Sequence, residues 1–390
     1  MQEDFHYYAT YCAAWLAGYE VSDCSRIAYA AQLVDLCSKT FINRFHGPRA
    51  ATTTQLKTEL ADAPTDITGI QDITRVWASF HFLPGNLYAH LPKRNRYYMN
   101  RYRLICDVNG TLLADTVNLA RKGGVEACGI AMHILADTWA HRYFAGTPSF
   151  VINDAGGFYE LRETENGVER IKVNFNHNPI TADNIEKCSF TNCLKQDSET
   201  SVMNLGHGRA GSLPDYSFFK YEFQPAWGDY RILVKDNPSD YYRAFCQMVY
   251  AMKCLRSGEQ EFETDTYDEE TVSPYREEIM AILKKRQLIA NEDWKALGEK
   301  LTGTALEDFD LLKYGDEYME AEKGHKEKTF LGRFFVAALA QKSMVTNKIF
   351  RSGNLIAGFS IDYGTNGFRG IEDFRMLLEE MKKGAMDDQS

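Results

Sequence analysis

The chain has 390 residues, of which 44% are hydrophobic and 13% aromatic, so it is long enough to bury a sizeable core. Its formal net charge of −10 excludes a surface that is basic overall, as would bind duplex nucleic acid or an anionic membrane by charge alone. The first residues carry no secretory signal pattern, and no apolar run reaches the roughly 18 residues of a membrane span, so we expect a cytoplasmic protein.

Helical periodicity dominates the chain, because small and apolar residues recur every three or four positions. It predicts helices over 4–19 and 24–45, and a helix that starts near Thr65 or Asp66, where PTD precedes ITGIQDITRVWASF. The most apolar helix candidate is 123–144, GGVEACGIAMHILADTWAHRYF. We expect it to lie buried at the centre of the fold.

The second half of the chain is less uniform. Residues 148–200 mix β-branched and aromatic residues with Gly-Gly and Asn-Gly turn signals, which predicts a small β-hairpin insertion. Helical patterning resumes over 238–256, and the acidic stretch 257–273 is typical of a linker. The expected fold is therefore mostly α, with a multi-helix domain over 1–256 and a further helical region of unknown role over 274–390.

The segment AMHILADTWAH places three polar side chains in an otherwise apolar helix. His133, Asp137 and His141 are four residues apart, so they lie within an arc of about 80° on one face. A single buried histidine is usually a hydrogen-bonded core residue, and a metal-free core helix remains one interpretation. A buried carboxylate between two imidazoles needs charge compensation, however, and a divalent cation supplies it.

Further residues of the right chemical types for metal binding stand in motif-like settings. They are Asp66, Asp72, Arg75 and His81 around QDITRVWASFHF, His207 and Asp215 in NLGHGRAGSLPD, and His6 near the amino terminus. The glycines around His207 suit a shaped loop better than a helix. Taken alone, that loop could equally be a surface turn.

The order of these motifs resembles the superfamily of zinc-dependent phospholipases C and single-strand-specific zinc nucleases. MHILADTWAH is similar to the H-x3-D motif and later histidine of that family, WASFHF to its W-x-x-x-H-F segment, and GHGRAGSLPD to its Gly-His followed by an acidic residue. The resemblance covers roughly residues 1–230. It implies an α-helical fold with a cleft that holds up to three zinc ions.

The resemblance also implies a ligand set. One zinc would bind either Asp72 or Asp66, together with His81, His133 and Asp137. A second would bind His141, His207 and Asp215. A third would bind His6, Asp137 and the α-amino group of Met1. We expect Met1 to be retained, because removal of the initiator methionine generally requires a small second residue and Gln2 is not small. Asp137 would bridge sites and Arg75 would neutralise phosphoryl charge. Mn²⁺ or Fe²⁺ would also accept these ligands.

The implied function is hydrolysis of a phosphodiester or phosphomonoester by hydroxide that bridges the metal ions. Candidate substrates are single-stranded nucleic acid, a nucleotide or a phospholipid headgroup. The segment 89–103, AHLPKRNRYYMNRYR, interleaves cations with tyrosines and could bind a single strand by charge and stacking. The other interpretation of this segment is an ordinary solvated surface.

Two rival hypotheses differ in kind from this one. An HD-type phosphohydrolase would need adjacent His-Asp ligands, and the chain contains no His-Asp dipeptide. A non-catalytic protein would use the metal for structure, or would act as an interaction scaffold through 274–390. The number of open coordination positions separates a structural site from a catalytic one, because catalysis needs room for water.

Overall fold

The computed structural model describes residues 1–63 and 66–358, and its secondary structure is mostly helical, at about 52%, with a small antiparallel sheet. A π-helix spans Asp4–Ala9. The α-helices are α1 Thr10–Leu16, α2 Val21–Leu36, α3 Lys39–Arg44, α4 Lys57–Ala61, α5 Ile67–Phe80, α6 Arg96–Tyr102, α7 Thr111–Ala120, α8 Gly124–Ala140, α9 Phe150–Asn153, α10 Asn237–Ser257, α11 Glu269–Val272, α12 Arg276–Lys284, α13 Asn291–Thr302, α14 Gly315–Glu320 and α15 Phe330–Arg351. The strands are β1 Ala155–Thr164, β2 Gly167–Lys172, β3 Asn174–Asn176, β4 Ser189–Thr191, β5 Lys220–Pro225 and β6 Leu233–Asp236.

Helix α8 lies at the centre of the helical core, as its apolar sequence predicts. Every residue from Glu126 to Ala140 is buried, and the helix packs against α2, α7, α10 and α15. Gly129 allows the close approach of α2, because a Cβ atom there would lie 2.4 Å from the carbonyl oxygen of Ile27. A helix that is apolar on all sides is stable only when neighbours cover every face.

The predicted helix boundaries need two corrections. The first helix is a π-helix followed by α1, and the predicted helix 24–45 is divided into α2 and α3 at Ser38. The Ser38 hydroxyl accepts a hydrogen bond from the Phe41 N–H, so a new helix begins there. Asp66 caps α5 in the same way through the N–H of Gly69, whereas Thr65 lies outside the described residues.

The predicted hairpin forms, but the sheet is larger than residues 148–200. Strands β1 and β2 pair around a two-residue turn, and β5 and β6 extend the antiparallel sheet in the order β2-β1-β5-β6. The predicted end at residue 200 is wrong because β1 also pairs with β5, a contact between distant segments that no local pattern signals. Phenylalanines on the inner face, among them Phe158 and Phe223, form a second, smaller core.

The acidic stretch 257–273 does not separate two hydrophobic cores. Trp294 of α13 packs edge-on against Phe5, with ring centroids 5.9 Å apart, and the buried side chains of α15 belong to the same core. The predicted helices beyond residue 358 lie outside the described residues. Among the helices that are described, none combines the length and apolar character needed to cross a membrane.

Candidate metal centre

Helix α8 brings three polar side chains to one buried place. His133 and Asp137 lie one turn apart, and His141 caps the C-terminal end of the helix. Asp137 Oδ2 lies 3.1 Å from His133 Nε2 and 3.5 Å from His141 Nδ1. Only 0%, 1% and 5% of His133, Asp137 and His141 are exposed. The three side chains therefore converge on one point, as their helical spacing predicts.

The two oxygens of Asp137 face two different sets of groups. Besides His133, Oδ2 lies 3.2 Å from His81 Nδ1. On the other side, Oδ1 lies 3.1 Å from His6 Nε2 and 2.8 Å from the amino nitrogen of Met1. Asp137 thus lies between groups from three separate segments of the chain: the amino terminus, the end of α5 and α8 itself.

Asp215 forms the second acidic point of the cluster. Its Oδ1 lies 3.0 Å from His141 Nε2 and 3.2 Å from the Met1 nitrogen, and its Oδ2 lies 3.6 Å from His207 Nε2. The carboxylate ends a short 3-10 turn, Leu213–Asp215. A loop rather than one helix therefore spans the long interval between His207 and Asp215.

The carboxylate beside His81 and His133 belongs to Asp35 of α2, which the sequence reasoning missed. Asp35 Oδ1 lies 3.8 Å from His81 Nδ1 and 3.9 Å from His133 Nε2, and its side chain is 28% exposed. A signal was present in the sequence. Asp35 is the single acid within IAYAAQLVDLC, a run that is otherwise almost entirely apolar.

Asp66 and Asp72 do not take the position expected for one of them. Asp66 is committed to capping α5, and the Asp72 side chain is 52% exposed and pairs with Arg75 at 3.2 Å. Arg75 is also not placed as expected, since its described contacts are with Asp72 and with the carbonyl of Ala357, at 2.7 Å. These residues form the outer face of α5, whereas His81 follows the inner end of that helix.

Backbone carbonyls fix the ring orientation of four histidines. The contacts are His81 Nε2 to Thr53 O at 3.0 Å, His133 Nδ1 to Ala31 O at 2.9 Å, His141 Nδ1 to His81 O at 2.7 Å and His207 Nδ1 to Gly211 O at 2.7 Å. Because a carbonyl only accepts, the nitrogen that faces it must carry the proton. The other nitrogen of each neutral ring then directs a lone pair into the cluster.

These lone pairs and the carboxylate oxygens leave the cluster short of positive charge. His133 Nε2 and His81 Nδ1 lie 3.3 Å apart, and both face Asp137 Oδ2. Three acceptors in mutual contact repel one another unless a proton or a cation lies between them. The ring of His6 is also unsatisfied, because it is completely buried and neither of its nitrogens has a hydrogen-bond partner in the described part of the chain.

The donor set fits a divalent cation. Three groups offer ligand atoms that lie within 4.8 Å of one another: His6, His133 and Asp137; Asp35, His81 and His133; and His141, His207 and Asp215. Imidazole nitrogen combined with carboxylate oxygen is a donor set that zinc accepts, and carbonyl contacts behind the rings are the usual outer support of such ligands.

The charges of the metal-free cluster follow from its burial. Burial opposes the charge of the Met1 amino group, but Asp137, Asp215 and Asp35 outweigh it and raise the pKa of that group to about 11. Burial also opposes ionisation of Asp137, yet His141 and the amino group bring the pKa of this carboxyl well below its usual range. Burial lowers the pKa of His6 to about 4. At neutral pH the Asp137 carboxylate is therefore ionised and lies beside the ammonium of Met1.

The π-helix Asp4–Ala9 carries His6 into the cluster. π-Helical turns are rare and are frequent at functional sites, where the wider turn redirects a side chain. Here the turn presents His6 to the carboxylate that the Met1 amino group also contacts, and the two imidazoles of His6 and His133 stack at 3.8 Å. The Asp4 carboxylate holds the turn in place by accepting the backbone N–H of Ala290 at 3.1 Å.

The cations of the segment 89–103 mostly have partners within the chain. Arg94 pairs with Asp229 at 2.7 Å, Arg101 pairs with Glu199 at 2.9 Å, and Arg103 donates to the carbonyl of Ala89 at 2.9 Å. Arg94 and Arg101 also lie over the rings of Tyr98 and Tyr97. The free positive charge of this surface is consequently smaller than the sequence pattern suggests.

Comparison with known proteins gives one finding. A family model described as "Family of unknown function (DUF6765)" matches residues 1–349. No curated protein and no solved structure matches the chain.

Proposed function

We propose that this chain, which belongs to the DUF6765 family of unknown function, is a metal-dependent hydrolase of phosphate esters whose metal centre is the cluster around Asp137. The observation that carries the proposal is the central carboxylate: each oxygen of Asp137 faces a different set of buried nitrogen donors. The order of the cluster residues along the chain is also similar to that of the zinc-dependent phospholipase C and nuclease superfamily.

Each metal ion would have its own ligand group. Asp35, His81, His133 and Asp137 would hold one ion, His141, His207 and Asp215 a second, and His6, Asp137 and the Met1 amino group a third. Asp137 is within reach of the first and third groups and would bridge them. Zn²⁺ suits these donors, and Mn²⁺ or Fe²⁺ are chemically close alternatives.

Bound zinc supplies a Lewis acid that activates water for attack on phosphorus and neutralises phosphoryl charge. The residues of the chain prepare the place for that chemistry. Carbonyl contacts orient the imidazoles. Asp35, Asp215 and His207 are the partly exposed members of the cluster, with side chains 28%, 15% and 20% exposed, and solvent reaches the cluster beside them. Without a cation these carboxylates would repel an anionic phosphate ester.

The proposal is tested by metal content followed by hydrolysis. Protein purified without a polyhistidine tag should contain two or three zinc equivalents and should cleave a panel of phosphomonoesters and phosphodiesters. His133→Ala should lose metal and hydrolysis together, and His90→Ala, at an exposed position, should keep both. Full metal content in His133→Ala, or a wild-type chain that cannot be loaded with any divalent metal, would refute the proposal.

A structural role for one ion is the second candidate, and complete burial of one group favours it. His6, His133 and Asp137 are 0%, 0% and 1% exposed, which leaves little room for water beside an ion bound there. A chain that binds zinc firmly and hydrolyses no phosphate ester would favour this alternative. The arrangement would then be a metal-stabilised scaffold rather than a catalyst.

A further inference from the structure

The loop that supports His81 is buried and has no regular secondary structure. Residues 51–55 are at most 7% exposed, and beyond Ala51 they belong to neither a helix nor a strand. The carbonyl of Thr53 in this loop faces His81 Nε2 at 3.0 Å. A buried loop needs donors for its inward carbonyls, because each unpaired polar group costs free energy.

Helix α15 supplies those donors. The ammonium of Lys342, a residue that is 5% exposed, donates to the carbonyls of Ala50 and Thr52, the latter at 3.2 Å. These carbonyls lie on the two sides of Ala51 and immediately precede Thr53. A lysine more than 250 residues further along the chain therefore holds the loop immediately before the carbonyl that orients His81, while Thr53 itself donates to the carbonyls of Cys37 and Val34.

The preceding residue of α15, Gln341, contacts the end of the helix that leads into the same histidine. Gln341 is 3% exposed, and its Nε2 donates to the carbonyl of Ser79 at 3.2 Å and to the hydroxyl of Thr116 at 2.9 Å. Ser79 lies in the last turn of α5, two residues before His81. Gln341 and Lys342 thus hold the helix end that precedes the imidazole and the loop whose carbonyl accepts a hydrogen bond from the ring.

We propose that Gln341 and Lys342 are positioning residues for His81, and that α15 is thereby an integral part of the metal centre. This inference rests on the proposed function. It also gives a role to the C-terminal helical region: α15 keeps the His81 ring in the tautomer and direction that a metal ion requires. Loss of such outer support typically costs about 10- to 100-fold in metal affinity.

Four variants of the full chain test this inference. Lys342→Met keeps the length and apolar stem of the side chain and removes the donors. Lys342→Arg keeps the donors and serves as the conservative rescue. Lys348→Met is the matched control, since Lys348 is on the same helix, is 46% exposed and pairs with Asp115 outside the cluster. Gln341→Met repeats the test from the other side should Lys342→Met fail to fold.

The first readout is the affinity for each zinc ion, measured by competition with a chelator. Lys342→Met should weaken one ion about 10- to 100-fold and leave the ion at His141, His207 and Asp215 unchanged, whereas Lys342→Arg and Lys348→Met should bind like the wild type. An unchanged affinity in folded Lys342→Met, or an equal loss of every ion, would overturn the inference.

The second readout needs no metal. In protein labelled with ¹⁵N-histidine, the His81 ring of the metal-free wild type should be a single Nε2–H tautomer, and in Lys342→Met it should be a mixture. A wild-type chain that binds no metal would refute the proposed function, and the tautomer measurement would still judge the positioning role. A His81 tautomer that is identical in both proteins would refute that role.

Discussion

At the scale of single residues, the orientation of each histidine ring in the cluster depends on which of its nitrogens carries the proton. Four histidine rings each donate a hydrogen bond to one backbone carbonyl, that of Thr53, Ala31, His81 or Gly211. The opposite nitrogen of each ring therefore faces into the cluster. The sequence showed the histidines, but it did not show which backbone carbonyls face their rings. Their identity depends on which loop or helix passes behind each ring.

Asp35 provides the clearest residue-level test, because Asp72 or Asp66 was expected in its place. Asp35→Asn keeps the size of the side chain and removes the charge next to His81 and His133. We expect zinc at that group to bind at least about tenfold more weakly. Asp72→Asn, which changes an exposed side chain on α5, should bind zinc like the wild type. A chelator-competition titration of both variants would decide between the two aspartates, and a weakened Asp72→Asn would reverse the assignment.

His6 makes the metal-free protein sensitive to acid. Burial holds its pKa near 4, below the ordinary value of 6.5, so the unfolded chain takes up a proton first as the pH falls. The unfolding free energy is therefore unaffected by this group above pH 6.5. It falls by about 3 kcal/mol as the pH decreases from 6.5 towards 4, because the unfolded chain binds the proton more tightly. Urea unfolding in the presence of a chelator should measure this slope.

The comparison of two variants isolates the contribution of His6. His6→Gln should flatten the dependence of the unfolding free energy on pH between 6.5 and 4. His90→Gln replaces an exposed histidine and should leave the dependence as it is in the wild type. Equal slopes in wild type and His6→Gln would mean that other groups cause the acid sensitivity.

At the scale of elements, the contact of α2 with α8 sets the geometry of the cluster. Asp35 and the Ala31 carbonyl come from α2, and His133 and Asp137 come from α8, so the distance between the helices decides whether they meet. Gly129, one turn before His133, keeps that distance short. The periodic pattern predicted both helices but could not predict which faces pack together, because many pairings bury similar apolar area.

Gly129→Ala should push the two helices apart. The new Cβ atom would lie 2.4 Å from the carbonyl oxygen of Ile27 and 2.5 Å from the Cβ of Ala30, which is closer than packed atoms approach. We expect the unfolding free energy to fall by about 1–3 kcal/mol, with weaker zinc binding at His133. Gly324→Ala, where no atom lies within 4 Å of the new Cβ, is the control and should change stability by less than about 0.5 kcal/mol. Equal stability of the two variants, measured by urea unfolding, would contradict the close-packing argument.

At the scale of the whole molecule, the centre joins distant parts of one chain. The π-helix, α2, the end of α5, α8 and the loop of Asp215 supply the cluster, while α13 and α15 pack into the same core as the π-helix and α8. A metal bound to so many segments favours the folded state, because the unfolded chain does not hold these groups together.

Zinc should therefore raise the thermal stability of the entire described structure. At a free concentration of 100 times its dissociation constant, one ion that binds only the folded chain adds about 2.7 kcal/mol to the unfolding free energy. Thermal melts with zinc and with a chelator should differ in midpoint for the wild type and for His90→Ala. The difference should shrink in His133→Ala, and a midpoint that is independent of metal in the wild type would contradict the metal centre.

The sequence by itself determined the elements whose signal is local. It predicted the buried central helix that became α8, the convergence of His133, Asp137 and His141 on one face, the start of α5 near Thr65 or Asp66, and the β1–β2 hairpin. Each of these depends on residues within a few turns of one another, where helical periodicity, capping and turn chemistry act directly.

Only the tertiary structure decided which distant groups meet. It placed Asp35 rather than Asp66 or Asp72 beside His81, directed Arg75 towards Ala357, extended the sheet to β5 and β6, and brought Gln341 and Lys342 behind His81. The physical reason is that these contacts arise from packing between elements far apart in the chain. Local patterns record which face of an element is buried, but they do not record what buries it.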